Sequence, residues 1–414
     1  MSPRGFFQKA LGLVKSVVKS VGFGNETPEH PENSTIEVEV RTAWRSLRCG
    51  ECHRKAVRLH GTEGKLRTWR QLGIFGLRVH IRCQVYRVLC RRCGVRTMDT
   101  PWARTGSLFT RAFEDEVAWF LQHTDQSTTA EYFDISWETA GRIAARVANE
   151  KRDPSLLDGL KIIGVDEICY GRPLKFLTVI VNHATGRVVW SGAGKSSAVL
   201  GQFFEKLGVS GRSTIKVVTM DMGAAYEKAV RDHLPEAEIV FDRFHVVKLA
   251  NEAVDEVRRG EMRTSAPGRK KQIKGYRWPT LKNPWNLTRR EKERLAELPR
   301  INKRLYRAYL LKETFQQVFD SQTPEEADRS FADWYGWARR SQIEPIRRLA
   351  QSLKDRWQGV RRFVQLRLTN AVVEGFNSKI RMLSHRAFGF HSADALIAMI
   401  SLCCSGIHIR PLGH

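Results

Sequence analysis

Length, composition and charge set the first limits on this chain. Its 414 residues are enough for two to four domains, and 42% hydrophobic with 9% aromatic residues supply material for their cores. The net charge of +25 predicts a polyanionic partner, because each phosphate that a Lys or Arg neutralises releases counterions from nucleic acid. A basic surface without a ligand is the alternative. No run of about 18 apolar residues occurs, which excludes a transmembrane helix.

The first 36 residues are predicted to be a basic extension that ends in a linker. Its apolar residues recur at helical spacing among lysines, at Phe7, Leu11, Val14, Val18 and Val21. This pattern is typical of an amphipathic helix. A transit peptide or an interfacial helix would look similar, but a continuous apolar segment and a cleavage site are both missing. Residues 25–35, NETPEHPENST, have the composition of a linker.

Two CxxC pairs mark residues 37–105 as a predicted zinc-binding module. The predicted ligands are four thiolates, Cys49, Cys52, Cys90 and Cys93. Four thiolates around a tetrahedral Zn²⁺ form a closed site that can hold a small domain together. His53, His80 or Cys83 could replace a ligand, and buried cysteines without metal are the alternative. Because no secretory signal precedes them, a reducing, cytoplasmic compartment and metal binding are favoured over disulfides.

Residues 106–152 are predicted to form three short helices, of which the last two make a helix-turn-helix. Ser and Thr residues precede the second and third helices as N-caps. The third helix, residues 137–147, is amphipathic and is expected to carry Arg142 and Arg146 on its outer face, where they would contact DNA in the major groove. The turn position usually occupied by Gly is Asp134, and a plain helical hairpin is the alternative.

From Leu160 onward the pattern changes to short apolar, β-rich segments. Three of them, separated by Gly-containing turns, predict an antiparallel meander. Helices and strands then alternate as far as about residue 254. Residues 153–254 are therefore expected to form a mixed sheet with helices on its faces and ligands at the strand ends.

Residues 255–360 are nearly free of strand patterns and are predicted to be a helical insertion domain. Positive charge concentrates around a Pro-Gly break in residues 258–278, RRGEMRTSAPGRKKQIKGYRW, as in a loop that follows a nucleic-acid backbone. A solvated basic loop is the alternative. The candidate DNA contacts are Arg269, Lys270, Lys271 and Lys274. Residues 361–414 are predicted to be helices that pack back onto the sheet.

Three acidic residues, far apart in sequence, are candidates for one metal site. Asp166 and Asp221 each end a predicted strand, and Glu374 lies in the predicted helix TNAVVEGFNSKI. Carboxylates that converge at one sheet edge repel one another unless divalent cations lie among them. Oxygen ligands favour Mg²⁺, with Mn²⁺ as a substitute, and two such ions can cleave and join phosphodiesters. Turn-capping aspartates and a surface glutamate are the alternative interpretation.

Several segments closely resemble transposases of the ISL-three family of bacterial insertion sequences. They are GVDEI (164–168), VVTMDMGAAYEKAVRDHLPEAEIVFDRFHVVK (217–248), NPWNLTRREKERL (283–295) and TNAVVEGFNSKIRMLSHRAFGF (369–390). With the CxxC pairs and the helix-turn-helix, the resemblance covers nearly everything from about residue 45. It implies a multidomain α/β protein whose RNase H-like, mixed-sheet catalytic core holds a helical insertion. It also implies that Asp166, Asp221 and Glu374 are a metal-binding DDE triad.

The resemblance extends to residues around the triad. Asp242 and His245 in FDRFH look like the Asp-x-x-His element of several transposase superfamilies, which implies a pair that orients the active site. A helix cap with a core histidine is the alternative from spacing alone. Glu167 is expected to point to the opposite face of the sheet by strand alternation. The first 35 or so residues have no counterpart in the family.

The leading functional hypothesis is a DNA transposase. It would bind the terminal inverted repeats of its element and catalyse Mg²⁺-dependent strand cleavage and transfer. Its partners would be double-stranded DNA, as element ends and target, and further copies of itself, at least as a dimer on DNA in the bacterial nucleoid. A non-catalytic, sequence-specific DNA-binding regulator derived from a transposase is one alternative, and a structure-specific nuclease is another.

Overall fold

The chain forms two compact units. The computed structural model describes residues 3–11, 13, 16–24, 35–42, 47–61, 63–74, 76–171, 173–368, 371–387 and 389–411. The first unit is Met1–Arg152 with Ser401–His414, and the second is Asp153–Ile400. Within the described ranges, no helix is both long and apolar enough to cross a membrane.

The first unit begins with two β-sheets. Its strands are β1 (Ser16–Gly24), β2 (Thr35–Thr42), β3 (Arg58–Leu59), β4 (Lys65–Ile74), β5 (Leu77–Val85), β6 (Arg87–Cys90) and β7 (Gly94–Thr97). One sheet has the order β1-β2-β5-β4, in which only β2 and β5 are parallel, and the other has the antiparallel order β3-β6-β7. Strands β2 and β5 bury alternate side chains, as the period of two requires, with Val38, Val79 and Ile81 fully buried.

The N-terminal segment differs from the predicted amphipathic helix. Helix α1 (Pro3–Ala10) is short, and residues 16–24 form strand β1, which pairs antiparallel with β2. The valines of SVVKSV are β-branched and favour a pleated strand, and Val18 is buried in the sheet. The segment is therefore part of the first unit's core rather than an appendage. Val14 and residues 25–34 of the predicted linker lie outside the described residues.

Three helices follow the sheets of the first unit. They are α2 (Arg111–His123), α3 (Gln126–Phe133) and α4 (Trp137–Lys151). Thr110, Asp125 and Ser136 cap them, each side chain accepting a hydrogen bond from the backbone N–H three residues later. The Gln122 side chain donates to the carbonyls of Leu402 and Ile407 at 2.8 and 2.9 Å. Residues 401–414, assigned from sequence to the core's last helices, thus belong to the first unit.

A five-stranded mixed sheet organises the second unit. Its strands are β8 (Ile162–Gly171), β9 (Lys175–Asn182), β10 (Arg187–Ala193), β11 (Val217–Met220) and β12 (Glu238–Phe241), in the order β10-β9-β8-β11-β12. The first three strands form the predicted antiparallel meander, whereas β8, β11 and β12 are parallel. Helices α5 (Ser197–Thr214), α6 (Ala224–His233) and α7 (Arg243–Thr264) follow strands β10, β11 and β12.

The rest of the second unit is helical. The helices are α8 (Pro267–Lys274), α9 (Arg277–Leu281), α10 (Arg289–Ile301), α11 (Lys303–Gln317), α12 (Pro324–Arg340), α13 (Glu344–Asp355), α14 (Trp357–Leu366), α15 (Ala371–Arg386) and α16 (Ala393–Cys404), whose last four residues belong to the first unit. Trp334, Phe315 and Phe319 are fully buried in the same core as the sheet. Helix α15 packs against β8, which brings the C-terminal part of the unit back to the sheet.

The basic segment predicted to be a loop is mostly helical. Helix α7 continues to Thr264, and α8 starts at Pro267, which fits the first turn of a helix because that position needs no N–H donor. The break between the two helices is only two residues long. Basic residues there are consequently presented at fixed helical positions.

Candidate catalytic and DNA-binding sites

The four predicted zinc ligands come together beside the three-stranded sheet of the first unit, with Cys90 at the end of β6. One sulfur atom from each of Cys49, Cys52, Cys90 and Cys93 lies within 4.8 Å of the others. Cys90 ends β6, and Cys93 precedes Gly94, whose φ of +69° a side chain would disfavour. At the other pair, a Cβ on Gly50 would lie 2.8 Å from the Thr97 carbonyl oxygen. Both turns therefore need glycine to aim their thiols inward.

The backbone around the cluster prepares it for a metal. Backbone N–H groups of Cys93 and Arg92 point at the Cys90 thiol and lower its pKa to about 7. Such bonds stabilise the thiolate, which is the form that ligates zinc. The four thiols thus fit a tetrahedral Zn²⁺ site.

The three alternative ligands lie outside this cluster. Cys83 is buried in β5, and burial raises the pKa of its thiol to about 11. His80 also lies in β5, where burial lowers its pKa. His53 has its Nδ1 3.4 Å from Asp99. Zinc bound by the CxxC pairs alone remains the prediction.

Asp134 occupies the turn of the helix-turn-helix in the left-handed conformation, with φ 47° and ψ 59°. Arg70 of β4 donates to the carbonyls of Phe133 and Asp134, both at 2.7 Å. The Asp134 carboxylate forms an ion pair with Arg78 of β5. Asp tolerates this conformation better than most residues, and the two arginines fix the turn to the sheet. The departure from Gly is therefore compatible with a helix-turn-helix.

The two arginines predicted on the outer face of α4 differ in their surroundings. Arg142 is exposed, and its guanidinium donates to Thr139 Oγ1 at 3.2 Å. Arg146 instead turns inward, where its Nε donates at 2.8 Å to Glu114, a carboxylate with no exposed surface. Arg104 and Ser107 donate to the same carboxylate. The outer-face position of Arg146 was thus wrong, because a buried carboxylate in α2 needed a counter-charge.

Asp166 and Asp221 lie side by side at one edge of the second unit's sheet. Strands β8 and β11 are parallel neighbours, and the register pairs Ile162 with Val217 and Gly164 with Thr219. Each aspartate comes four residues after the first pair, so both lie at the same height and on the same face. Their carboxylates and a His245 nitrogen lie within 4.8 Å of one another. Sequence alternation and parallel pairing thus bring two distant acids together.

Hydrogen bonds hold the two aspartates in place. His245 Nδ1 lies 2.7 Å from Asp221 Oδ2. The Glu167 backbone N–H donates to Asp166 Oδ1 at 2.7 Å, and the Asn377 side-chain amide donates to Asp166 Oδ2. Helix α15 is thereby fastened to β8 at the carboxylate itself.

The electrostatics of this group indicate a missing counter-charge. Burial, and then the charge of Asp221, raise the pKa of Asp166 to about 6. Burial alone would lower the pKa of His245, but its bond to Asp221 and the other acids outweigh burial and raise it. In the described part of the chain, Asp221 Oδ1 is buried and accepts no hydrogen bond. A buried, unbonded carboxylate oxygen beside a second carboxylate fits a divalent cation with oxygen ligands.

Glu374 belongs to a second group that shares His245 with the first. Its carboxylate, an Asp242 oxygen and a His245 nitrogen lie within 4.8 Å of one another. Asp242 occupies the N-cap position of α7, yet provides no side-chain cap hydrogen bond to the described helix. Its carboxylate faces His245 and Glu374 instead. The structure thus brings all three predicted acids to one end of the sheet, with His245 between the aspartates and Glu374.

An open cleft of about 390 Å³ lies over the aspartates. Glu167, expected on the opposite face, lines this cleft as well, with its carboxylate 3.7 Å from the Lys195 ammonium. Lys248, one helical turn after His245, lines it too. The cleft therefore combines Asp166 and Asp221 with two lysines that can face a phosphate backbone.

One contact at this site was missed in the sequence. Asn377 follows Glu374 by three residues, so the two share a helix face, and that spacing was an available signal. The resemblance implied that Asp242 and His245 orient the active site, but it did not specify that His245 binds Asp221, which depends on how β12 and β11 align. The basic residues predicted in the insertion, Arg269, Lys270, Lys271 and Lys274, are all exposed on α8. Arg269 also donates to the Ile301 carbonyl.

Comparisons with known proteins agree with this architecture. Residues 163–400 match a DDE family model described as "Transposase", and residues 98–148 match the "Helix-turn-helix domain of transposase family ISL3". The chain is 34% identical to the transposase for insertion sequence element IS1557 of Mycobacterium tuberculosis, over 97% of this chain and 95% of that protein. It is 29% identical to the transposase for IS1001 of Bordetella parapertussis, over 95% of this chain and 98% of that protein.

These matches confirm the helix-turn-helix and the resemblance stated from sequence. A DDE transposase domain implies use of a divalent metal. A helix-turn-helix that precedes it in sequence implies binding to DNA. The family model covers more than half of the chain, and the relatives align along nearly all of it. The chain therefore belongs to the ISL3 (ISL-three) family of insertion-sequence transposases.

Proposed function

We propose that this transposase binds the terminal inverted repeats of its own element and cuts and joins DNA strands with Asp166, Asp221 and Glu374. The observation that carries the proposal is that Asp166 of β8 and Asp221, directly after the parallel neighbour β11, have carboxylate oxygens within 4.8 Å of each other. Glu374 lies on the helix that Asn377 fastens to Asp166. The sheet order, with an antiparallel meander followed by parallel strands, supports an RNase H-like core.

The acids form a site for Mg²⁺, or for Mn²⁺ in its place. Asp166, Asp221 and Glu374 would hold the metal, and their donor atoms are the hard oxygens that it prefers. When bound, the metal activates a water or a 3′ hydroxyl as nucleophile and stabilises the leaving 3′ oxygen of the phosphodiester. The buried Asp221 Oδ1, unbonded within the described residues, is the vacant donor that this assignment explains.

The chain's own residues prepare that site. Asn377 and the Glu167 N–H hold both oxygens of Asp166, so its carboxylate keeps one orientation. His245 does the same for Asp221, and in its protonated form it offsets the charge of the acids around it. An Asp242 oxygen lies within 4.8 Å of a His245 nitrogen, and its charge helps to raise the pKa of that imidazole. The Asp-x-x-His element is thus an orienting device for the acids.

The first unit would read the DNA ends. Arg142 is exposed on α4, the helix that enters the major groove in a helix-turn-helix. The Arg70 bonds make the turn and the four-stranded sheet one body, so the recognition helix is presented rigidly. Basic residues on α8 would contact phosphates, which give affinity without sequence preference.

Two element ends must be held together before strands are transferred. At least two copies of the chain on DNA are therefore expected, one for each end. The charge of +25 opposes association of free chains and is offset by DNA. Assembly should consequently depend on DNA.

The test is a strand-transfer assay with labelled terminal DNA, target DNA and Mg²⁺. Asp221→Ala should abolish cleavage and joining yet leave end binding intact, because the carboxylate serves the metal. Asp232→Ala removes an exposed acid of α6 and should retain full activity. Joining by Asp221→Ala at the wild-type rate would end the catalytic assignment. Cleavage without joining by the unaltered protein would indicate a nuclease, and binding without either would indicate a regulator.

A further inference from the structure

Two tryptophans in the helical insertion are largely exposed to solvent. Trp285 is 73% exposed in the short turn Pro284–Asn286, and Trp278 is 56% exposed in α9. An indole in water forgoes the stabilisation that burial of its large apolar surface would give. Single exposed hydrophobic residues are common on protein surfaces. Two tryptophans within eight residues, on a segment without other reason to be apolar, need a physical explanation.

The backbone that carries these indoles is anchored rather than frayed. Tyr276, two residues before Trp278, is 4% exposed, and Thr280, two residues after it, is fully buried, so the chain on both sides of Trp278 is anchored inward. The buried Lys312 ammonium donates to the Thr280 carbonyl at 2.9 Å. Beyond Trp285, Leu287 is buried. The indoles are therefore held out by a fixed segment.

Further contacts fix the chain after Trp285. The Thr288 side chain and Glu291 form a capping box at the start of α10. Glu291 also accepts from the Lys282 ammonium at 2.7 Å. Presenting the rings then costs little conformational entropy when a ligand binds, because the chain beneath them is already ordered.

The surroundings of the indoles are strongly basic. Residues 263–294 contain eleven Lys and Arg residues against two Glu. Both acids already have partners, because Glu291 bonds Lys282 and Glu293 bonds Arg289. The Arg277 guanidinium lies 5.1 Å from the Trp278 ring centroid, within the range of a cation–π contact. A negatively charged ligand with flat apolar faces matches both properties.

We propose that Trp278 and Trp285 bind unpaired DNA by stacking on its bases while the cations around them hold its phosphates. Aromatic rings beside a positive groove are the general means of holding single strands, since every base has a π face. A second copy of the chain fits the surface worse, because it also carries +25 and would place like charges against residues 263–294. Strand cleavage and transfer create single-stranded segments at the element ends, which such a site would hold. The acid cluster takes no part in this binding.

The test measures binding of a labelled single-stranded oligonucleotide of about 12 nucleotides, a length within the usual range of single-strand sites, to the full chain without Mg²⁺. Fluorescence anisotropy should show about 10-fold weaker binding for Trp285→Ala and for Trp278→Ala. Trp285→Phe should restore most of the affinity, because a phenyl ring still stacks. Binding to a fully paired duplex of the same sequence should stay unchanged. Val209→Ala, a change at a 77% exposed residue of α5, is the matched control.

Three results would overturn the proposal. Unchanged single-strand affinity in both alanine variants would show that the rings do not touch DNA. An equal loss on single strand and duplex, with Phe unable to restore it, would show a general effect on the insertion. Loss of self-association in sedimentation experiments, with DNA affinity intact, would assign the surface to a second copy. None of these results would bear on the acid cluster, whose readout is strand transfer.

Discussion

Replacing Asp166 with Asn should make the metal-free protein more stable while destroying its function. The Asp166 carboxylate is buried beside Asp221, and these surroundings raise its pKa from 3.8 to about 6. A shift of about 2 units corresponds to about 3 kcal/mol at 1.36 kcal/mol per unit. The amide oxygen of Asn can accept only one of the two hydrogen bonds that Glu167 and Asn377 donate to Asp166. The lost hydrogen bond destabilises the variant by about 1 kcal/mol. The expected net gain for Asp166→Asn at pH 8 is about 2 kcal/mol.

The sign of the pH dependence follows from the raised pKa. Well below pH 3.8, Asp166 is protonated in both the folded and the unfolded protein, and its pKa shift contributes nothing to the difference from Asp166→Asn. As the pH rises from 3.8 to about 6, the unfolded chain releases this proton first, so the stability of the unaltered protein falls until the pH has passed the folded pKa. The stability advantage of Asp166→Asn over the unaltered protein, measured as a free energy of unfolding, should therefore grow over that pH range and stay constant above it.

Urea unfolding at pH 4, 6 and 8, without added divalent cation, measures the difference in free energy of unfolding between Asp166→Asn and the unaltered protein. Asp232→Asn, at an exposed acid, is the control and should change nothing. Adding Mg²⁺ should stabilise the unaltered protein and leave Asp166→Asn where it was, because ligands stabilise only the state that binds them. If the stability difference between Asp166→Asn and the unaltered protein is the same at pH 8 as at pH 4, burial and repulsion by Asp221 do not destabilise the Asp166 carboxylate.

Three further predictions concern other parts of the chain. Cys90→Ser should lose stoichiometric zinc by mass spectrometry, whereas Cys83→Ser should keep it; zinc retained by the first variant would contradict the assigned ligands. Glu114→Gln should lower the free energy of unfolding by about 1.5–3 kcal/mol, because Arg146 loses its carboxylate partner and Arg104 keeps only Asp115 and Glu150. The exposed Glu131→Gln should not change it, and equal urea midpoints for the two variants would refute this. Asn377→Ala should reduce strand cleavage about 10-fold or more with DNA binding intact, because the helix of Glu374 loses its bond to Asp166; full cleavage activity would count against that positioning role.

Much of the second unit's sheet was predictable because its signals are local. The meander from Leu160 and the alternating helices and strands after it have clear periods and Gly-containing turns, and the structure has them in the same order. The segment before β2 was mispredicted because Val18 and Val21, three residues apart, match helical spacing, whereas in β1 a register shift between Val18 and Ser20 interrupts the strand period of two. Pairing with β2, which no local pattern encodes, decides between helix and strand.

The positions of some site residues could likewise be predicted from local sequence signals, and the positions of others could not. Asp166 and Asp221 could be placed together because β8 and β11 are parallel neighbours. The expectation that Asp166 ends its strand was wrong, because β8 goes on pairing with β9 as far as Gly171. The position of Glu374 could not be predicted, since it depends on how α15 returns after more than a hundred residues of helical insertion. The inward turn of Arg146 likewise follows from the buried Glu114, and a helical wheel of α4 contains no information about α2. Local sequence patterns contain no information about ion pairs between residues that are far apart in the chain.

The bonds from Gln122 to Leu402 and Ile407 have a consequence for synthesis on the ribosome. The first unit cannot complete its packing when residue 152 emerges, because about 250 more residues must be translated before its last segment exists. At ~5–20 residues per second this delay is roughly 10–50 s. During that time the intervening second unit can fold first. A nascent chain is thus expected to acquire its catalytic core before its DNA-reading part is finished, which limits premature capture of nearby DNA by incomplete polypeptides.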